Sequence, residues 1–427
     1  MVFPNLVKFQ VKETEQSITP FAGLALIGRL AKQLKLLNRI DQTLPFKERE
    51  RGFHPSEVVM SIANVFLAGG TCLNDVHAFD SDAALTKLFG IEKFPDDSTL
   101  GAFLRKFTKL SIFRLGHINT ALIRRLISEQ GLSRLTIDSD SSIFPSHKKD
   151  AHWTYLEKIR GYNPLFASIA ELHHAIPFAV FREGNAAPQS HALSFSHALW
   201  QAFPEGLDLW FRLDSAWFRA DVLDFWHEKG AHFAITADLD SSVIKSCKSI
   251  PEKDWKRASW DPTVSIAETV HVLSKSKRAY RLIVLRFPKL QPDLFDDRFH
   301  YHAIFTNIDD WELEAVVVWR RKRFGDEHLF DEFKNDLGAK HIPCDDFLPN
   351  AAFFQILVLA YNLVQYLKFR FLPKNWHSVS IKTFRFNWIT VAASVTVHAR
   401  RICLNLFKDY AHIKLFERLS WRLLAVG

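Results

Sequence analysis

Leu135-Thr136-Ile137-Asp138-Ser139-Asp140-Ser141-Ser142 is the stretch on which the fold turns. Before it, apolar residues recur at three- and four-residue steps, the spacing of a buried helical stripe. Within it, apolar and polar residues alternate, as in a strand with two unlike faces. Period two puts Asp138 and Asp140 on one face, near the strand's end. Two strand-like runs follow at 162–170 and 176–182, with no long helix between them. An antiparallel meander is the expectation. Residues 192–203 then read as helix, 207–214 as strand, 220–229 as helix and 231–237 as strand. In this β-β-β-α-β-α-β order, a fourth strand returning beside the first would bring Asp214 next to Asp138 and Asp140.

Outward from that core, the first 130 residues read as helical. Leu24, Ile27, Leu30, Leu34 and Leu37 form one stripe. Pro55-Ser56-Glu57 opens a helix that Gly69-Gly70 stops, Asp97-Ser98 precedes another, and a third covers 112–129 up to Gly131. The region is either a bundle packed on its neighbour or a DNA-binding module of the helix-turn-helix kind. On the other side, 238–313 holds strand-like runs at 265–273, 278–287 and 299–307 and reads as a β-rich insertion. One helix is expected over 314–337, carrying Arg320, Arg321, Lys322, Arg323, Glu327, Glu332 and Lys334. Residues 348–424 read as mostly helical. From Lys368 onward, eleven Lys and Arg face two acids, Asp409 and Glu417.

Composition bounds the function classes. The 427 residues carry 55 Lys and Arg against 47 Asp and Glu, a net charge of +8, with 48% hydrophobic residues. That is a globular composition, not a disordered or collagen-like one. Cys72, Cys247, Cys344 and Cys403 lie far apart, so neither a disulfide framework nor a zinc ribbon is expected, and reduced, intracellular thiols are. The chain opens without a secretory pattern. Its apolar runs at 353–366 and 387–399 are interrupted and shorter than the ~20 residues of a membrane span. A soluble protein is expected, and the positive surplus suits a polyanionic partner.

The acids carry the chemistry. Carboxylates gathered at strand ends repel and need a cation. Hard oxygen ligands with open positions suit Mg²⁺, and two such ions can promote phosphoryl transfer. Each Asp alone reads equally as a turn cap. Arg323, one turn before Glu327, and Lys334, two turns beyond it, suit phosphate contacts. Arg323 and Glu327 also read as an ordinary i,i+4 pair. His147 with Lys148 and Lys149 could touch DNA or merely balance charge. Trp255 and Trp260 are packed residues or base-stacking platforms. His173-His174 and His300 with His302 lack further ligands at metal-binding spacing.

The words around these acids resemble those of DDE-type transposases of the IS4-like group, most closely the IS1380 family. Asp138-Ser139-Asp140-Ser141-Ser142 with His147 resembles the first-acid word. Arg160-Gly161-Tyr162-Asn163-Pro164-Leu165 resembles the next strand, Arg182-Glu183-Gly184-Asn185 the R-x-G-N turn, and Arg212-Leu213-Asp214-Ser215-Ala216-Trp217-Phe218 the second-acid word. Arg323, Glu327 and Lys334 match Y-x₂-R-x₃-E-x₆-K, although Arg320 stands at the Tyr position beside Trp319.

The resemblance implies an α/β fold. An RNase H-like catalytic core (131–237 and 314–367) would be interrupted by an all-β insertion (238–313). Helical N-terminal (1–130, DNA-binding) and basic C-terminal (368–427) regions would flank it. It implies Asp140, Asp214 and Glu327 as catalytic, metal-holding acids, with Asp138 the fallback for Asp140. Arg323, Lys334, His147, Lys148, Trp255 and Trp260 become DNA-binding candidates. Mg²⁺, with Mn²⁺ as a substitute, would serve cut-and-paste transposition of an insertion sequence. The partners would be double-stranded DNA, both terminal inverted repeats and target, and a second copy in a homodimer on DNA. A prokaryotic cytoplasm, close to the nucleoid, is the expected location. The alternatives are an inactive or domesticated DNA-binding relative and, without metal, a two-carboxylate hydrolase.

Overall fold

The computed structural model describes residues 10–44, 46, 52–154, 158–276, 278–289, 298–399 and 401–424, and the side chains of 324–327 lie outside that description. The Arg134–Ser141 strand lies inside a nine-stranded mixed sheet. On one side it pairs antiparallel with Leu165–Ile169, which pairs antiparallel with Ala175–Val180. This is the expected meander. On the other side it runs parallel to Asp208–Leu213, which runs parallel to His232–Thr236. Parallel neighbours need crossovers, and the helices Ala192–Ala202 and Ala220–Glu228 provide them. The register sets Asp138 opposite Arg212 and Ser139 opposite Leu213. Asp140 and Asp214 therefore leave adjacent strands at the same level. Ligands of open α/β sheets bind beyond such carboxyl ends.

The insertion differs from its expected all-β form. It begins with a helix, Ser241–Lys248, and its strands do not form a separate sheet. Phe299–Thr306 pairs antiparallel with His232–Thr236, and Ala279–Pro288, Asp261–Val272 and Lys256–Ala258 extend the same sheet outward. An edge strand exposes unpaired backbone groups, and pairing satisfies them. Asn307 strengthens the junction. Its Oδ1 accepts from the Phe233 amide at 2.8 Å, and its Nδ2 donates to the Ala231 carbonyl at 2.8 Å.

The single helix expected over 314–337 is four segments of changing pitch. An α-helix Leu313–Arg321 leads into a tight turn Lys322–Phe324, then a helix Gly325–Asp331, then a widened π segment Glu332–Asp336. Gly325 weakens the run at its centre, and π segments add a residue to the turn. The ideal spacing that aligned Arg323 with Lys334 is lost.

Helices of the first 130 residues share the main core. Leu24–Gln33 and Leu36–Thr43 break at Lys35, whose φ is 54°. Pro55–Leu67 is buried almost throughout. Lys109–Gln130 starts on a Thr108 cap and ends at Gly131 with φ 64°. It is held between strand and helix, because Thr120 Oγ1 donates to Pro177 O at 2.9 Å and Asn119 Nδ2 to Gln355 O at 3.0 Å. The latter lies on Phe347–Phe371, a 25-residue helix at the centre of the core. By length and composition this helix passes as a membrane span, which its interrupted apolar run did not suggest. In the fold, 89% of its most apolar window is buried.

The C-terminal region is not simply helical. Ala393–His398 and Arg401–Leu406 form a hairpin, and Ile18–Thr19 pairs with its first strand. Val395, Thr396 and Val397 are β-branched and favour a strand. The helix Ile413–Arg422 follows.

Candidate active site

Asp140 and Asp214 stand at the ends of two adjacent parallel strands. Asp140 Oδ1 accepts from the Ser141 amide at 2.7 Å. Asp214 Oδ1 accepts from the Ala216 amide at 3.0 Å and caps the turn Ser215–Trp217. One nitrogen serves both acids. Arg323 Nη2 lies 2.5 Å from Asp140 Oδ2 and 3.7 Å from Asp214 Oδ2. The acids keep 30% and 35% of their side-chain surface exposed, so solvent reaches the pair. Burial raises the Asp214 carboxyl above its ordinary range, while Arg323, the Ala216 amide and Arg320 pull it back down.

Asp138 shares the strand face of Asp140 but not its surroundings. It is fully buried and gripped by Arg212, Nε to Oδ1 at 2.7 Å and Nη2 to Oδ2 at 2.5 Å. Arg212 Nη1 also donates to Trp319 O at 3.3 Å. The pair therefore ties two strands to the helix Leu313–Arg321. Two more arginines surround the acids, Arg182 buried and Arg320 partly buried. Arg320 donates to Leu213 O at 3.1 Å and to Thr236 Oγ1, so it joins the same helix to the ends of two strands. Arg182 donates from Nε to Asn163 O at 2.9 Å and from Nη1 to Ser190 O at 3.3 Å. Burial lowers both guanidinium groups to about 10, and Asp214 opposes this at both, joined by Asp140 at Arg182 and Asp138 at Arg320.

Arg182, Arg212 and Arg320 entered the sequence reading as motif letters or helix charges, not as site residues. For Arg182 and Arg212 the available signal was a basic residue inside or closing an apolar strand run, next to an acidic strand; Arg320, on a helix, offered none. The R-x-G-N turn has a physical reason too. A Cβ on Gly184 would lie 2.3 Å from Gly161 O and 2.6 Å from His152 O.

The remaining candidates are placed as follows. Glu327 lies on Gly325–Asp331, just beyond Arg323, and its side chain lies outside the described residues. Lys334 Nζ sits 5.5 Å from the centre of the Phe144 ring, in the short strand that follows Asp140. Lys148 Nζ donates to Pro343 O at 3.2 Å, while His147 is exposed. Trp255 gives a ring face to Arg286 at 4.2 Å, and Arg286 is itself ion-paired with Glu252. Trp260 gives one to Arg321 at 4.7 Å and packs against the smaller core cluster. Both rings are thus part of the packing of the β-rich segment. Among the described residues no group of three His, Cys, Asp or Glu is placed to hold a metal ion.

Residues 6–426 match the family model described as transposase DDE domain group 1. The chain belongs to the DDE transposase family. No curated protein matches it. Membership makes DNA the substrate class. In this DDE transposase two partly exposed acids stand at neighbouring strand ends. The four arginines offset their charge, and three of these are anchored by backbone carbonyls.

Proposed function

We propose that this DDE transposase is an active, metal-dependent enzyme of the IS4-like group, most like the IS1380 family, that cuts an insertion sequence at its ends and joins the freed 3′-OH to target DNA. The observation that carries the reading is the Asp140–Asp214 pair, set at one level by parallel register and sharing Arg323. Asp140, Asp214 and Glu327 are the catalytic acids. Asp138 is a wall residue, since its charge is already spent on Arg212. Three antiparallel strands followed by two parallel ones support an RNase H-like core.

The donor set fits a divalent ion. Its oxygens are hard, and the pair already accommodates a cation in Arg323. Mg²⁺, or Mn²⁺ in its place, would be held by Asp140, Asp214 and Glu327, and would supply Lewis acidity and a water of lowered pKa. The protein's own groups do the rest. Burial pushes the Asp214 carboxyl up, and its Arg323, Ala216 and Arg320 contacts oppose that shift. Arg323 and Lys334 take backbone phosphates, and His147 and Lys148 border the path of the DNA. Two element ends must be paired, so the working form is a homodimer on double-stranded DNA, and the setting is a prokaryotic cytoplasm.

The test uses a duplex carrying the element's terminal repeat. Asp140→Asn or Asp214→Asn should each lower Mg²⁺-dependent cleavage by about a hundredfold or more, the scale of losing a key electrostatic group. Salt-sensitive DNA binding should persist. Cleavage that continues in EDTA rejects the metal mechanism. Binding without cleavage by the unmodified protein identifies an inactive relative.

A further inference from the structure

We infer that Arg323 is the resident counter-cation of the Asp140–Asp214 pair, and that a divalent ion displaces it most readily as Arg323 transfers to a DNA phosphate. Metal loading and DNA capture are then one coupled exchange. This rests on the proposed function and adds a regulatory step to that site.

The geometry supports exchange over coexistence. A single Arg323 nitrogen faces Oδ2 of both acids, the carboxylates that would hold the ion. Like charges at such separations repel strongly in a partly buried site. The neighbouring guanidinium groups are poorly suited to move. Arg320 is tied to Leu213 O and Thr236, Arg182 to Asn163 O and Ser190 O, and Arg212 to Asp138. Arg323 stands on the tight turn Lys322–Phe324, where two helices meet and the pitch changes. Its fork suits a phosphate as well as a carboxylate. Without metal, Arg323 keeps two repelling acids together. With DNA present, a backbone phosphate offers it a new partner and leaves the acids to the ion. Linkage makes the effect reciprocal, so DNA tightens metal binding by the factor by which metal tightens DNA binding.

The experiment reads metal binding without turnover, by titrating Mn²⁺ into the full chain and following its electron paramagnetic resonance signal. Without DNA, Arg323→Gln should bind Mn²⁺ at least tenfold more tightly than the unmodified protein, and Arg323→Lys should stay close to it. A short duplex should raise the Mn²⁺ affinity of the unmodified protein severalfold and that of Arg323→Gln much less. Unchanged or weaker affinity in Arg323→Gln overturns the exchange. So does a duplex that leaves the unmodified protein's affinity unaltered, a measurement that needs no variant to fold. Asp140→Asn separates the two ideas. If it loses Mn²⁺ while Arg323→Gln is unchanged, only the exchange fails. If it binds Mn²⁺ like the unmodified protein, the metal role of the acid pair fails with it.

Discussion

Two aspartates two positions apart on one strand have different work. Asp138 and Asp140 share a face by period two, so strand spacing does not rank them, and only the family resemblance puts Asp140 first. Their partners separate them. Asp138 is sealed against Arg212, whereas Asp140 meets Arg323 at a solvent-reaching edge. Breaking a buried ion pair leaves an uncompensated charge inside. Asp138→Asn should therefore cost about 3–5 kcal/mol of folding stability. Asp140→Asn should change it by less than about 1 kcal/mol, as for a part-exposed pair. Urea unfolding measures both, and equal losses would put Asp140 in the structural wall as well. Replacing the pair together, Asp138→Leu with Arg212→Met, should recover much of the first loss, because desolvation offsets most of a buried pair's attraction.

At the scale of elements, turns and added strands bury groups that titrate. His173 has φ 45° in the turn between the second and third meander strands, and faces Lys368, His174, His328 and Glu332. His302 lies on Phe299–Thr306, the strand that joins the insertion to the sheet, and faces Arg320 and Arg321. Burial, aided by neighbouring positive charge, lowers each from 6.5 to about 4. In that window the unfolded chain binds more protons than the folded one. Stability therefore falls as pH drops from 6.5 toward 4 and is fully present above it. The urea midpoint followed over this range should show the slope. His173→Gln with His302→Gln should flatten it, and an unaltered slope would assign the acid sensitivity elsewhere. The pitch changes in 313–336 belong to this scale as well. They accompany the placement of Arg323 on the two acids.

Across the whole molecule, the two ends of the described chain are fastened together. Ile18–Thr19 joins the C-terminal hairpin, and Gly23 passes against Trp388, where an added Cβ would meet the carbonyl oxygen at 1.6 Å. Backbone cannot yield as a flexible side chain can. Gly23→Ala should lower stability by about 1–3 kcal/mol, the range for forced overpacking. Thermal unfolding would register this, and an unchanged midpoint would mean that the two ends separate at little cost. The N-terminal helices are bound into the same core by Lys109–Gln130 and Phe347–Phe371. The same cluster spans the sheet and both ends of the chain, so such a loss should be felt beyond the contact itself.

By itself the sequence determined the order of the core-sheet strands and crossover helices from Arg134 to Ala237, the meander, and the strand-end positions of Asp138, Asp140 and Asp214, but not the small sheet of Phe144–Pro145, His152–Trp153 and Arg160–Tyr162. Periodicity, caps and turn residues are local, and they are written in neighbouring letters. It missed the hairpin at 393–406, the broken pitch of 313–336 and the merging of the insertion into the core sheet. Tertiary packing decided those, since β-branched runs and glycines permit more than one local form. It alone decided which aspartate is walled in and which is open. That choice depends on strand register and on arginines brought from positions 182, 212, 320 and 323, and no local spacing encodes such distant encounters.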